Sequence, residues 1–384
     1  SYYKRAYSFF DSLEEETMMN EQLIELKAQM LCQGVNVDDA AVELFRQQNP
    51  SNVKRGGLSS GGKMQIGPIV VNAPFYFERK VQIRISRDMA NPFGILIERG
   101  GVVVASGEVM QAPEWYVEKV DGIEITRILI AHNRQLAGSV YENCDLFKSG
   151  EECRFCVINR SATKNRAQLT KKSGELFVKA LQAIGMYNYN YGGLSLNGGM
   201  TFNQGRGIEL IVPVIEQIHK VFPRLPIAVE ITPPENLVWI NRLREAGCSS
   251  LMMNLECWDE KIREQIIPGK SKYCTKQMYL KAFKRALNVF GKGRVTTCFV
   301  VGTEPMESLK QGIEEVIKRG VIPSPLAGRY FEDVPDYPFV PDVNWREFLW
   351  VLKFAGEKLT DNGVLSRDRA GCVACGMCDL IRDM

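Results

Sequence analysis

The chain has 384 residues, 45% hydrophobic and 24% charged, with a formal net charge of +3. That length allows a large core, arranged as roughly two or three domains or as one barrel with extensions. The small charge argues against nucleic acid or a membrane surface as the main partner, and no apolar run approaches the ~20 residues of a membrane span. The opening "SYYKRAYSFFDSLEEE" lacks the apolar core of a signal peptide, and the expected location is cytoplasmic.

In chain order, residues 1–50 are expected to form an N-terminal helical segment. "EEETMMNEQLIELKAQMLCQ" sets Met18, Leu23, Leu26 and Leu31 at helical spacing. "SNVKRGGLSSGGK" (51–63) predicts a loop, linker or lid. Its "GGLSSGG" looks like a phosphate loop but lacks the Gly-Lys-Ser/Thr ending and the strand–helix setting. Residues 51–135 read as a β-rich extension, from β-branched runs such as "MQIGPIVVNAPFYF", "KVQIRIS" and "FGILIERGGVVVASGEV".

Over residues 136–330 strand and helix alternate about six times. "AGSVYE", "GGLSLN", "PIAVEIT", "CSSLMMNLE", "RVTTCFVVG" and "VIPSPLAG" are the strands, with amphipathic helices between them. The basic "SKYCTKQMYLKAFKRALNVFGKGR" predicts one such helix with a solvated face. The pattern predicts an α/β protein with right-handed βαβ units and a parallel sheet curled as a partial (βα)6 TIM-like barrel, its active site at the C-terminal ends of the strands. Residues 331–384 are a C-terminal extension.

Of the eleven cysteines, six fall in two tight groups, Cys144/Cys153/Cys156 and Cys372/Cys375/Cys378. An odd count without a secretion signal argues against a disulfide framework. The scattered Cys32, Cys248, Cys257, Cys274 and Cys298 read as small buried hydrophobes. The first group follows the first barrel strand. Three thiolates there can hold three irons of a four-iron cluster and leave the fourth open. Zinc is the rival, although a zinc site pairs CxxC with a second CxxC or with histidines. The two histidines, His132 and His219, have no ligand-like neighbours in sequence.

With its three cysteines after the first strand and Phe155 before the last of them, the sequence resembles the radical SAM superfamily. It departs from the common CxxxCxxC in having eight residues between Cys144 and Cys153. Later segments follow the same resemblance. "SLNGGM" (195–200) matches the Gly-Gly-Glu segment that holds the amino group of S-adenosylmethionine, with Met200 in place of the acid. "VEITPPE" (229–235) is similar to the Pro-Pro segment of biotin-synthase-like members, "MNLECWDEKIREQIIPGK" (253–270) ends the fourth strand, and "CFVVGTEP" (298–305) resembles the adenine-packing turn. The resemblance implies a catalytic [4Fe-4S] cluster on Cys144, Cys153 and Cys156. It implies S-adenosylmethionine contacts from Phe155, Asn197, Gly198, Gly199, Glu230, Asn254, Glu256, Arg263, Lys270 and Val301.

"GCVACGMCDL" (371–380) has the spacing that opens a bacterial ferredoxin run and is read as the site of a second, auxiliary iron–sulfur cluster on Cys372, Cys375 and Cys378. The expected function is hydrogen abstraction by a 5′-deoxyadenosyl radical from a small-molecule or carrier-bound substrate. Arg55 to Ser60 and Tyr141 are expected to line the substrate site, and ferredoxin or flavodoxin to donate electrons. Sulfur insertion of the biotin- or lipoyl-synthase type is the favoured reaction, with radical rearrangement, lyase, dehydrogenation or group-transfer chemistry as alternatives. An electron-transfer protein with two clusters and a zinc-stabilised binding protein are the rivals from other classes.

Overall fold

The computed structural model describes residues 20–48, 61–156, 158, 169–187, 191–329, 343–364 and 371–378. Arg55 to Ser60 lie outside the described residues.

The N-terminal region is not helical throughout. A helix over residues 20–33 is followed by strand β1 (Val35–Val37) and by the helix Asp39–Gln48. The strand forms because Val35 and Val37 are β-branched and follow Gly34, whose φ of +71° ends the helix. β1 joins β2 (Gly62–Ile66), β3 (Ile69–Ala73), β4 (Phe75–Tyr76), β5 (Ile83–Arg87), β6 (Gly94–Arg99) and β7 (Val102–Val109) in a sheet of order β3-β2-β7-β6-β5-β1-β4. A small hairpin, β8 (Lys119–Val120) with β9 (Ile123–Glu124), follows.

The second sheet carries the alternation read from the sequence. An antiparallel edge strand, β10 (Ile130–His132), precedes six parallel strands in chain order: β11 (Gln135–Tyr141), β12 (Gly193–Gly198), β13 (Ile227–Glu230), β14 (Ser250–Met252), β15 (Val295–Val301) and β16 (Ile322–Ala327). It is the curled sheet of a partial barrel. The intervening helices begin at side-chain caps: Ser173 Oγ accepts from Leu176 N, Thr275 Oγ1 from Met278 N, and Asp259 from Lys261 N and Ile262 N. Leu196, Val229, Leu251 and Val295, at most 1% exposed, point from the strands into the helical layer. Each such side chain stabilises by about 1.5–3 kcal/mol.

Alternation sends the other set of side chains into the barrel lumen. Ser195, Ala228, Glu230, Ser250, Met252 and Thr296 line a narrow cavity there, together with Gly371 to Val373. Beside it Met252, Cys298, Val300 and Leu326 form an apolar cluster.

The first sheet bridges the open side of the barrel, between edge strands β10 and β16. Lys63 Nζ donates to the Ala131 carbonyl on β10 (2.8 Å), and Arg329, just past β16, donates to the Asn72 carbonyl (2.7 Å). Among the described residues no helix is long and apolar enough to cross a membrane.

Candidate active site

Cys144 lies three residues beyond β11, in extended backbone, and caps the one-turn helix Asp145–Lys148. That helix and the left-handed turn at Gly150 (φ +70°) take up the eight residues before Cys153, so the long spacing is a folded insertion. The loop is stitched to its neighbours through the backbone. Asp145 N donates to Met200 O (2.9 Å), Arg154 N to Ile266 O (2.8 Å) and Gly269 N to Glu151 O (2.9 Å). Gly199 approaches so closely that a Cβ there would stand 1.7 Å from the Asn143 carbonyl oxygen. The Gly-Gly segment is thus tied to the cysteine loop by steric necessity.

Burial pushes the Cys144 and Cys153 thiols up, Cys153 well above the range of a free thiol, and lifts Cys156 to about 11. The charge of Lys270 opposes this at all three. Metal-free, these thiols are protonated at neutral pH, so metal binding here releases protons. Lys270 Nζ pairs with Glu256 Oε1 at 2.7 Å, the two side chains being 14% and 7% exposed. Burial, the largest single influence, works to neutralise Lys270, but the charge and hydrogen bond of Glu256 together with Tyr279 and Cys153 outweigh it and hold the ammonium above the ordinary lysine range. Glu256 has a φ of +72°, which non-glycine residues rarely adopt, and its main chain bonds to Cys298 O (2.8 Å) and Val300 N (2.9 Å). Its Oε2 is buried without a hydrogen-bond partner among the described residues.

The strand ends supply further polar groups. Ser139 Oγ donates to Asn197 Oδ1 (2.6 Å) on the end of β12. Asn254 donates to Glu230 Oε1 (2.6 Å) and accepts from Cys298 N (3.1 Å). Burial raises the Glu230 carboxyl above the ordinary range, and the Asn254 bond opposes it. Phe155 packs both against Cys153, Ile266 and Ile267 and against the lumen cluster of Met252, Cys298, Val300 and Leu326. Tyr141 ends β11, its carbonyl accepting from Gly199 N (2.9 Å).

Two expected contacts are placed differently. Arg263 is 1% exposed, and its guanidinium donates to the carbonyls of Leu255, Cys257 (3.3 Å) and Cys274 (3.1 Å) and stacks over Tyr279. It braces the loop after β14, and Lys270 is the cation that faces the thiols. Val301 is packed in the main core, while its neighbour Val300 belongs to the lumen cluster. The sequence reading missed Met252 and Cys298 as lumen residues. The alternation of Thr296, Cys298 and Val300 along β15 was the available signal.

The second cysteine group occupies the lumen side of the open barrel face. Cys372–Cys375 is a single helical turn entered at Gly371, whose φ is +96° and whose absent Cβ would lie 3.3 Å from the Ala228 Cβ. The loop's carbonyls are held from outside by Asn133 Nδ2 on Cys375 O (3.0 Å), Lys27 Nζ on Gly376 O (2.7 Å) and Asn72 N on Met377 O (3.1 Å). Cys372 and Cys378 pack against the lumen cluster.

All eleven cysteines are thiols, with no disulfide. Among the described residues no three His, Cys, Asp or Glu side chains are gathered as a single metal ion requires. A four-iron cube asks for a different arrangement, in which each thiolate binds its own iron. One buried and two half-buried thiols on one braced loop fit that demand, and the unpartnered Glu256 Oε2 beside Lys270 fits a bound polar group with its own donors.

No family model matches the chain. The bacteriochlorophyllide c C-7(1)-hydroxylase of Chlorobaculum limnaeum is 27% identical over 290 residues, covering 70% of each chain. Among solved structures, methylornithine synthase is 16% identical (TM-score 0.45), over 58% of this chain and 62% of that one. The FeFe-hydrogenase maturase HydG of Carboxydothermus hydrogenoformans is 16% identical (TM-score 0.45), over 58% of this chain and 51% of its own. A radical SAM methyltransferase from Sphaerobacter thermophilus is 14% identical (TM-score 0.45), over 75% and 79%. The cysteine loop after the first of six parallel strands agrees with the resemblance to the radical SAM superfamily read from the sequence, and the chain is similar to that curated hydroxylase.

Proposed function

We propose that the chain functionalises a C–H carbon of a small-molecule or carrier-bound substrate, holding a [4Fe-4S] cluster on Cys144, Cys153 and Cys156 and S-adenosylmethionine at the adjacent strand ends. The observation that carries this reading is the buried Lys270–Glu256 pair beside three thiols on the loop after β11. When bound, the cluster and S-adenosylmethionine supply a 5′-deoxyadenosyl radical able to take a hydrogen from an unactivated carbon.

The chain's residues bind and shield. Lys270 offers its ammonium to a carboxylate, and Glu256 Oε2 accepts from an ammonium. Asn197, Glu230 and Asn254 present polar atoms to the lumen, where Met252, Phe155 and Val300 keep water from a reactive carbon. Gly199 holds the cysteine loop at the correct depth.

Sulfur insertion with a sulfide from the second cysteine group is one form of this reaction. The name of the curated relative, a hydroxylase, favours a second form in which oxygen reaches the carbon. Both put a heteroatom where a hydrogen was, and product mass separates them. A low-potential ferredoxin or flavodoxin is the proposed electron donor.

The test is 5′-deoxyadenosine formation by anaerobically purified protein with S-adenosylmethionine and dithionite. Product should form with wild type and Cys375→Ala and vanish with Cys153→Ala. An iron-replete wild type that forms none would overturn the reading.

A further inference from the structure

We propose that Cys298 supplies the fourth thiolate of the metal centre held by Cys372, Cys375 and Cys378. The assignment rests on the reading of that group as an iron–sulfur site and goes beyond it by closing the ligand set.

Cys298 stands in the middle of β15, between Thr296, which lines the cavity with Cys372, and Val300 of the lumen cluster. The strand's alternation therefore aims its side chain into the lumen. It is 3% exposed. Its main chain is fully engaged, the N–H donating to Asn254 Oδ1 (3.1 Å) and the carbonyl accepting from Glu256 N (2.8 Å). Its thiol has no hydrogen-bond partner among the described residues, whereas the thiol of Cys248 donates to Ser250 O (3.1 Å) and that of Cys257 lies 3.2 Å from Thr303 Oγ1. Cys372 and Cys378 pack against the apolar cluster that contains Cys298.

The arrangement also explains why the tail is gripped as it is. Asn133, Lys27 and Asn72 hold three successive carbonyls, of Cys375, Gly376 and Met377, and so fix the loop against the lumen wall that carries Cys298. A run with the CxxCxxC spacing and a remote fourth cysteine is the ligand set of a ferredoxin-type cluster. Four thiolates leave no iron open. A cluster so held cannot bind substrate at iron and has no coordination site for an added sulfide. Any sulfur donated from this centre would then be one of the cluster's own bridging sulfides.

The test uses the full chain with Cys144, Cys153 and Cys156 all changed to Ala, so that the second centre is read alone. Iron and acid-labile sulfide are counted after anaerobic reconstitution, and electron paramagnetic resonance is recorded after mild ferricyanide oxidation. The parent should hold about four irons per chain and stay silent on oxidation. Adding Cys298→Ala, or the closer isostere Cys298→Ser, should cost about one iron per chain on oxidation and give a three-iron signal. Cys32→Ala and Cys257→Ala should match the parent. Parent-like behaviour of both Cys298 variants, or a three-iron signal in Cys32→Ala, would overturn the assignment. A parent without iron would overturn the iron–sulfur reading of the tail and the assignment with it.

Discussion

The ammonium of Lys270 and the carboxylate of Glu256 meet at 2.7 Å beside the first cysteine loop, Glu256 buried and Lys270 largely so. Removing one member of such a pair leaves a buried charge without its partner, at a cost of about 3–5 kcal/mol. Lys270→Met should therefore lower the unfolding free energy of the metal-free protein by that amount. Lys270→Met combined with Glu256→Gln should recover more than half of it. Equal losses in the single and double variants, measured by urea denaturation, would show that the pair is not coupled.

Gly199 and Gly198 should behave oppositely. A Cβ on Gly199 would stand 1.7 Å from the Asn143 carbonyl oxygen, while one on Gly198 finds its nearest neighbour at 3.4 Å. Gly199→Ala must displace the backbone beside Cys144. It should cost about 1–3 kcal/mol of stability and lower iron retention. Gly198→Ala should do neither. Iron content after gel filtration separates the two.

Arg263 serves the fold and should not serve the cofactor directly. Arg263→Met strands the carbonyls of Leu255, Cys257 and Cys274 and should destabilise by about 3 kcal/mol or more. The folded, cluster-loaded fraction should still bind S-adenosylmethionine within about tenfold of wild type, whereas Lys270→Met should lose more. Equilibrium binding on both variants decides the assignment.

Glu230 gives a pH signature. Burial holds its carboxyl above the ordinary range. A carboxyl raised in the folded state contributes stability that is complete below its unfolded pKa of about 4.3 and is lost as pH rises through the folded value. Gln cannot ionise. The stability of Glu230→Gln relative to wild type should therefore rise from pH 4 to a plateau at higher pH. A difference in melting temperature that stays flat over that range would contradict the burial of an ionisable group there.

The parallel strands and most of their helices were legible because apolar periodicity switches between two and 3.6 residues along the chain. What was lost depended on contacts far away in sequence. "CSSLMMNLE" reads as nine strand residues, but only Ser250–Met252 join the ladder, and the chain then turns through Glu256 at positive φ. Val300 and Val301 are both apolar in a strand buried on both faces, so sequence does not say which one faces the lumen. Arg263 and Lys270 are two cations in one segment. Which of them meets the thiols is set by the break at Ile267 between the helices Glu260–Ile266 and Pro268–Tyr273. The cysteine groups were visible at once. That Phe155 packs on the lumen cluster flanking the second group was not, since that nearness is made by the curl of the sheet.

The Lys27–Gly376 bond joins residues 349 positions apart. A chain made from its N-terminus therefore completes the six parallel strands before that clasp can close. The strands that form the lumen wall are thus all made before residues 371–378, which lie against them. Closure of the lumen by the second cysteine loop is therefore a late event written into the topology, and it depends on a lysine from the opposite end of the described chain.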